Sequence, residues 1–87
     1  MRTIYKYPIQ VQDHVNVQTY LGAKFIHAAM QEESLCIWLE VDTDQPMTFK
    51  DFEIYGTGHV VSMRPEDGRH AASVLDRQFV WHIYEVK

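Results

Sequence analysis

The segment Gly56-Thr57-Gly58-His59 combines residue types suited to binding a small molecule. Two of the chain's four glycines lie here, and glycine permits backbone conformations and close approaches that other residues do not. Thr57 adds a hydroxyl and His59 an imidazole, and N–H groups at a glycine turn can hold an anionic or polar group. The same pattern fits a structural role, in which the glycines let a strand turn a sharp corner. Both interpretations stay open.

Two arginines and two tyrosines are further candidates for ligand contact. Arg64 and Arg69, in a loop with His70, follow the corner closely and could supply positive charge for a phosphate, although the acidic residues between the arginines also fit a solvated loop. Tyr5 and Tyr7 should point the same way, as a ledge for stacking a base or for a subunit interface. A Gly-x-Gly without a third glycine and a following helix is not a dinucleotide fingerprint. The predicted site comprises Tyr5, Tyr7, Gly56, Thr57, Gly58, His59, Arg64 and Arg69, without a cofactor.

No local motif for a metal or for nucleophilic catalysis is present. The five histidines form no pair at i,i+2 or i,i+4 spacing, and we predict no metal site. Ser34, Ser62 and Ser73 lie in no Gly-x-Ser-x-Gly pattern. The single cysteine, Cys36, lies in an apolar run, which predicts a buried free thiol. We therefore expect a protein that is not an enzyme.

Composition predicts one domain over residues 1–87. The chain is 46% apolar and 23% charged, which is typical of a globular protein. Its net charge of −4 and scattered basic residues argue against general nucleic-acid binding. No apolar run is long enough for a membrane-spanning helix, and the first residues lack a secretory signal, so we expect a cytoplasmic protein. Small domains often gain stability by self-association, and we expect a homo-oligomer.

Alternating apolar residues predict the strands that must position the candidate site. The first strands are predicted at residues 3–7, 9–12 and 15–18, with Pro8 ending a strand or lying at a sheet edge. Residues 25–31 fit a helix or a strand, and the strand-like neighbours favour a strand. The apolar run at residues 35–42 predicts a central strand that is buried on both faces.

The second half of the chain continues the strand pattern. Residues 48–55 predict a strand, with a bulge near Asp51 that separates the faces of Phe49 and Phe52, and the strand pattern resumes after the corner at residues 59–61. Residues 63–70 predict an exposed loop with one short helical turn. Strands follow at residues 71–75 and 79–86, the last running through the middle with His82 as a hydrogen-bonded core histidine. Six to eight strands predict an all-β or nearly all-β fold, a small antiparallel sandwich or barrel.

The chain resembles a family of small proteins encoded mainly by bacteriophages and prophages and grouped as a domain of unknown function. The most specific matching segments are Ile54-Tyr55-Gly56-Thr57-Gly58-His59 and Phe79-Val80-Trp81-His82-Ile83-Tyr84-Glu85. Shorter matches in the same order are Thr3-Ile4-Tyr5-Lys6-Tyr7-Pro8, Gly22-Ala23-Lys24, Cys36-Ile37-Trp38 and Val41-Asp42.

The resemblance implies a phage accessory protein that acts by binding in the host cytoplasm. One expected function is sequestration of a nucleotide-type signal of host antiviral immunity. The alternative is inhibition of a host protein through an acidic or aromatic surface, and a small enzyme is the third possibility. The net charge of −4 is mild for a mimic of DNA.

Overall fold

A computed structural model describes residues 1–87 as seven β-strands in two antiparallel sheets. Sheet A has the strand order β1-β4-β3, and sheet B has the order β2-β5-β7-β6. The sheets pack together without closing into a barrel, so the all-β prediction is confirmed and the architecture is a sandwich. The strands are β1 (Arg2–Ile9), β2 (His14–Tyr20), β3 (Lys24–Gln31), β4 (Ser34–Asp42), β5 (Met47–Gly56), β6 (Gly68–Asp76) and β7 (Phe79–Val86).

The core lies between the inner faces of the two sheets. Side chains alternate between the faces of a strand, so every second residue of β2, β4 and β5 reaches the interior. The largest fully buried apolar side chains are Phe52, Leu35, Ile37, Leu39, Ile83 and Val41.

Both predicted central strands are central. β4 lies between β1 and β3, and β7 lies between β5 and β6. The outer face of β4 is closed only in part: Cys36 is 2% exposed, but Trp38 and Glu40 are half-buried. Residues 24–31 form a strand, as predicted. Tertiary pairing with β4 therefore outweighs the helical preference of alanine and methionine in this segment.

Of the two alternatives for Pro8, the sheet-edge position is confirmed, whereas the separate strand at residues 9–12 and the bulge near Asp51 are wrong. β1 continues through Pro8 to Ile9, because an edge strand can lack one N–H, and Val11 lies in the loop that follows. The pairing of β5 with β2 is regular through Asp51, with no bulge. None is needed, since residues three apart on a regular strand, such as Phe49 and Phe52, already face opposite sides.

The chain beyond the corner also differs from the prediction. The strand pattern does not resume at residues 59–61: these lie in an irregular loop, and Val60 is 85% exposed. The predicted helical turn is present as a 3₁₀ turn at Pro65–Asp67. Gly68 already begins β6, so the last three residues of the predicted loop belong to a strand.

Candidate functional site

The Gly56–His59 corner is a tight turn that ends β5. The His59 backbone N–H donates to the Gly56 carbonyl at 3.0 Å, and the Gly56 N–H donates to His59 Nδ1 at 3.2 Å. Gly58 has φ of +90°, a conformation that glycine adopts most readily. At Gly56, an added Cβ would lie 2.9 Å from His59 Cε1. The positive φ of the turn therefore favours glycine at position 58, and a larger residue at position 56 would have to displace the His59 imidazole.

The outer face of sheet B next to this corner is rich in polar and aromatic side chains. Cross-strand pairing places Tyr55 opposite His82, and Tyr84 lies one position further along the same face. The rings of Tyr55 and Tyr84 meet edge to face, with centroids 5.6 Å apart. The Tyr55 hydroxyl donates to a Glu53 carboxylate oxygen. Burial, followed by this hydrogen bond, raises the pKa of Tyr55, because both disfavour the phenolate.

A bulge in β6 brings two more polar side chains to this face. The register between β6 and β7 shifts between His70 and Ala72, so His70 lies opposite Tyr84 and Ser73 lies opposite His82. On a regular strand, residues 70 and 73 would point to opposite sides. The extra residue turns both toward the outer face, a known use of bulges for aiming side chains.

Four of these side chains form a continuous line of hydrogen bonds, here called the hydroxyl–imidazole chain. Thr57 Oγ1 lies 2.8 Å from His82 Nε2, and His82 Nδ1 lies 2.8 Å from Ser73 Oγ. Ser73 Oγ lies 2.9 Å from His70 Nε2. The line crosses from the corner at the end of β5, over β7, to the bulge in β6.

The hydroxyl–imidazole chain can be satisfied in two directions, because each hydroxyl and each neutral imidazole both donates and accepts. In one direction, Thr57 donates to His82, His82 donates to Ser73, and Ser73 donates to His70. In the other, every bond is reversed and the Thr57 hydroxyl is left free to donate outward. Thr57 can therefore present either an acceptor or a donor to a molecule at the corner.

Two cavities flank the corner, and both are lined by Gly56, Thr57 and His59. One has a volume of about 400 Å³ and the other about 250 Å³. No carboxylate lines either of them, whereas acidic residues line each of the other three cavities of the protein. Lysine or arginine also lines each of those three cavities, so the two at the corner differ in having neither a carboxylate to repel an anion nor a basic side chain to attract one.

The larger cavity also has an aromatic wall. Phe79 is 50% exposed, and its ring is stacked on Trp81 with centroids 5.5 Å apart and an angle of 16° between the planes. The Trp81 N–H donates to Asp76 Oδ2 at 3.0 Å, which fixes the orientation of the indole. A planar ring in this cavity could stack on the free face of Phe79.

The structure places Arg64 and Arg69 outside both cavities. Arg64 makes two hydrogen bonds to Asp67, at 2.8 and 3.3 Å. Arg69 lies 3.7 Å from the Glu85 carboxylate, which also pairs with Lys50 at 3.0 Å. Both guanidinium groups therefore neutralise carboxylates of the protein itself.

Tyr5 and Tyr7 also lie away from the corner, on β1 in sheet A. Tyr7 forms a hydrogen bond of 2.8 Å with the buried Thr19, and Tyr5 packs near Tyr20 with ring centroids 6.4 Å apart. Both tyrosines thus face β2, at the edge of sheet B opposite β6. Of the predicted site residues, only the four from Gly56 to His59 come together.

The remaining chemical groups are placed as follows. Cys36 is a buried free thiol that donates a weak hydrogen bond to the Ser34 carbonyl, 3.7 Å away. No three His, Cys, Asp or Glu side chains are grouped so that they could hold a metal ion. The structure contains no helix with the length and apolar character needed to cross a membrane.

Ser73, Phe79 and His82 were not predicted as site residues, and His70 was considered only as a source of positive charge for a phosphate. Strand pairing brings them to the corner, and their sequence separations, such as 25 between Thr57 and His82, carry no local motif. His82 is hydrogen-bonded, as predicted, but it lies half-buried on the outer face of β7 and not in the core. The sequence offered one signal for this position: His82 precedes Ile83, and if Ile83 is buried, His82 must face the opposite side of the strand.

No curated protein and no solved structure is significantly similar to the chain. A family model described as Domain of unknown function (DUF7352) matches residues 1–87, which is the full length of the sequence. The protein therefore belongs to this family of unknown function.

Proposed function

We propose that the protein binds and sequesters a small ligand of the nucleotide class, with its anionic group at the Gly56–His59 corner. The observation that carries this proposal is the absence of carboxylates from the two cavities at the corner of an acidic protein. The larger cavity, at about 400 Å³, falls within the range of about 300–1,000 Å³ that is usual for small-molecule sites.

The corner offers hydrogen-bond donors for an anion. The Gly58 N–H has no backbone partner within the protein. His59 accepts through Nδ1, so in its neutral form the proton is on Nε2, where it can be donated to a ligand. The Thr57 hydroxyl is a third donor in one direction of the hydroxyl–imidazole chain. Together these groups can bind a phosphate or carboxylate without an arginine.

In this proposal the base of the nucleotide stacks on the aromatic wall of the larger cavity. Stacking of a nucleobase on an aromatic side chain contributes roughly 1–3 kcal/mol. Phe79 has the exposed ring face, and Trp81 supports it from behind. In this proposal the two residues take the stacking role that the sequence assigned to Tyr5 and Tyr7.

The biological setting in this proposal is the counteraction of host antiviral defence. The resemblance to phage-encoded proteins supports this setting. In it, the protein acts in the host cytoplasm. A binding protein that lowers the free concentration of a nucleotide signal needs no catalytic step.

Thermal-shift measurements with a panel of nucleotides and cyclic nucleotides test the binding. A ligand at 100 times its dissociation constant adds about 2.7 kcal/mol of stability, a readily measured shift. Phe79→Ala should weaken binding by roughly 10- to 100-fold if the base stacks there. Phe49→Ala is the matched control, since Phe49 is 61% exposed and lines neither cavity at the corner.

A second comparison tests the anionic end of the site. The double variant Thr57→Val with His59→Ala removes two donors from an exposed turn. Unchanged affinity in this variant, with a native circular dichroism spectrum, would remove the corner from the site. The absence of a shift with every nucleotide in the panel would refute the proposed ligand class.

Inhibition of a host protein is the second candidate function. Ile4 on β1 and Ile26 on β3 are 53% and 49% exposed, and these strands flank β4, which carries the half-buried Trp38. Exposed apolar side chains around an aromatic residue are typical of protein interfaces. Capture of one host protein that is lost in Ile4→Asp, together with no nucleotide binding, would favour this function.

A further inference from the structure

Thr57 has the surroundings of a nucleophile. Its hydroxyl lies 2.8 Å from Nε2 of His82, and the other nitrogen of the same ring lies 2.8 Å from the Ser73 hydroxyl. A hydroxyl, an imidazole and a third group that orients the imidazole are the arrangement that activates nucleophiles in hydrolases. We propose that Thr57 accepts the acyl group of small carboxylic esters, with His82 as its general base.

One direction of the hydroxyl–imidazole chain prepares this reaction. Thr57 donates to Nε2 of His82, which is then unprotonated and ready to take the proton. His82 donates from Nδ1 to Ser73, and Ser73 donates to Nε2 of His70. Ser73 and His70 line neither cavity at the corner, so in this proposal they are positioning residues that hold the His82 ring and its tautomer.

The bulge in β6 explains why two positioning residues are available. Without it, His70 and Ser73 would face opposite sides of the sheet, and the hydrogen bond between them could not form. Bulges occur often beside active sites, where they aim a side chain. Here the bulge extends the hydrogen-bond chain by one bond, from Ser73 to His70.

The reaction balances without a cofactor. Thr57 Oγ attacks the ester carbonyl carbon while its proton moves to Nε2 of His82. The carbon–oxygen bond to the alcohol breaks, and His82 returns the proton to the departing alcohol oxygen. Water then attacks the acyl-threonine with His82 again as base, releasing the carboxylic acid and restoring the Thr57 hydroxyl.

The corner also provides a donor for the charge that develops on the carbonyl oxygen. The backbone N–H of the residue after the nucleophile has this role in other hydrolases, and in this chain that residue is Gly58. Its N–H has no backbone partner. Glycines on both sides of Thr57 leave its hydroxyl open on an exposed turn.

The lining of the cavities favours a carboxylic ester over a phosphate ester as substrate. Binding a phosphate needs only hydrogen-bond donors, whereas transfer of a phosphoryl group relies on cations such as Mg²⁺, lysine or arginine. No lysine or arginine lines the cavities at the corner. The smaller cavity, about 250 Å³, contains both Thr57 and His82 and suits a short acyl group.

This activity shares the corner with the proposed nucleotide site but does not depend on it. The substrates are esters without a nucleobase, so either proposal can fail while the other stands.

Incubation of the purified protein with p-nitrophenyl acetate and p-nitrophenyl butyrate tests the activity. We expect release of p-nitrophenol and an added acyl group that peptide mass spectrometry locates on Thr57. Thr57→Val should abolish the adduct, and Thr57→Ser should retain it. His82→Gln should slow hydrolysis on the order of 100-fold, the lower range for loss of a general base. Thr3→Val is the matched control, because Thr3 lines a separate cavity on sheet A. This substitution should leave both the hydrolysis and the adduct unchanged.

Imidazoles and lysines can react slowly with activated esters, so the position of the adduct decides the outcome. An adduct only on lysine or His59, hydrolysis unchanged in folded Thr57→Val, or no hydrolysis at all would overturn the proposal.

The positioning role of Ser73 is tested by a separate measurement. In Ser73→Ala, ¹⁵N NMR should show His82 losing its preference for the Nδ1–H tautomer while the adduct stays on Thr57. An unchanged tautomer and rate would overturn the positioning role.

Discussion

Gly58 allows a direct measurement of how firmly the corner is held. The residue has φ of +90°, and a Cβ added there would meet no other atom within 4 Å. Gly58→Ala therefore probes backbone conformation alone, because the new methyl group neither clashes nor packs. The variant separates the conformational requirement of the turn from the contacts of its side chains.

The expected cost follows from two opposing terms. Placing an L-residue in the left-handed region costs about 1–2 kcal/mol. Replacing glycine also reduces the conformational freedom of the unfolded chain, which returns about 0.4–1 kcal/mol. The net loss should be on the order of 1 kcal/mol. For a domain of this size, that corresponds to a fall in the melting temperature of about 4–8 °C.

Urea denaturation followed by circular dichroism measures this loss, and Gly22→Ala is its control. Gly22 has φ of +82° in the turn between β2 and β3, and an added Cβ there also meets nothing within 4 Å. The two variants should lose similar amounts of stability. If Gly22→Ala is destabilised and Gly58→Ala is not, the turn does not maintain the positive φ in solution, and the geometry on which both proposals depend is wrong.

Three further predictions concern the core, the outer face and the assembly. Tyr7→Phe should destabilise the protein by about 1–3 kcal/mol in urea denaturation, because it leaves the hydroxyl of Thr19, which is 0% exposed, without its partner. No loss of stability would mean that the Thr19 hydroxyl finds another hydrogen-bond partner. The pKa of Tyr55 is raised, so the contribution of this tyrosine to stability is complete below about pH 10 and is lost as the pH rises through the raised pKa. Tyr55→Phe should therefore flatten the decline of the unfolding free energy at alkaline pH. An identical decline in both proteins would contradict the raised pKa of Tyr55. Light scattering should give the mass of a homo-oligomer, and a monomer at all concentrations would end that expectation.

The strands could be predicted from sequence because their signals are local. Alternation of apolar residues in β2 and the apolar run of β4 predict strands whatever their neighbours are. Strand order and register depend on contacts between distant segments, so sandwich and barrel stayed equal alternatives. The same limit explains the error at Asp51, where a bulge was inferred from a pattern that a regular strand already produces.

The site was less predictable than the fold because it is assembled across strands. No two histidines have the short sequence spacing of a local metal-binding motif, yet the rings of His70 and His82 lie with their centroids 6.4 Å apart. Their approach requires the register of β6 on β7 and the unpaired residue Ala71, and neither leaves a mark in the sequence. Assigning residues 63–70 to a loop concealed His70, since a loop residue has no defined face.

The structure gives His82, and not His59, the more extensive hydrogen bonding at the corner. His59 is engaged within its own turn, where Nδ1 accepts the Gly56 N–H. His82 connects the corner to β6 through both ring nitrogens. Residues 54–59 and 79–85 are neighbours because β5 pairs with β7, and the hydrogen bond between Thr57 and His82 joins them. A purely structural corner would need the glycines but not this bond, so loss of function in His82→Gln with unchanged stability is the result that separates the two roles.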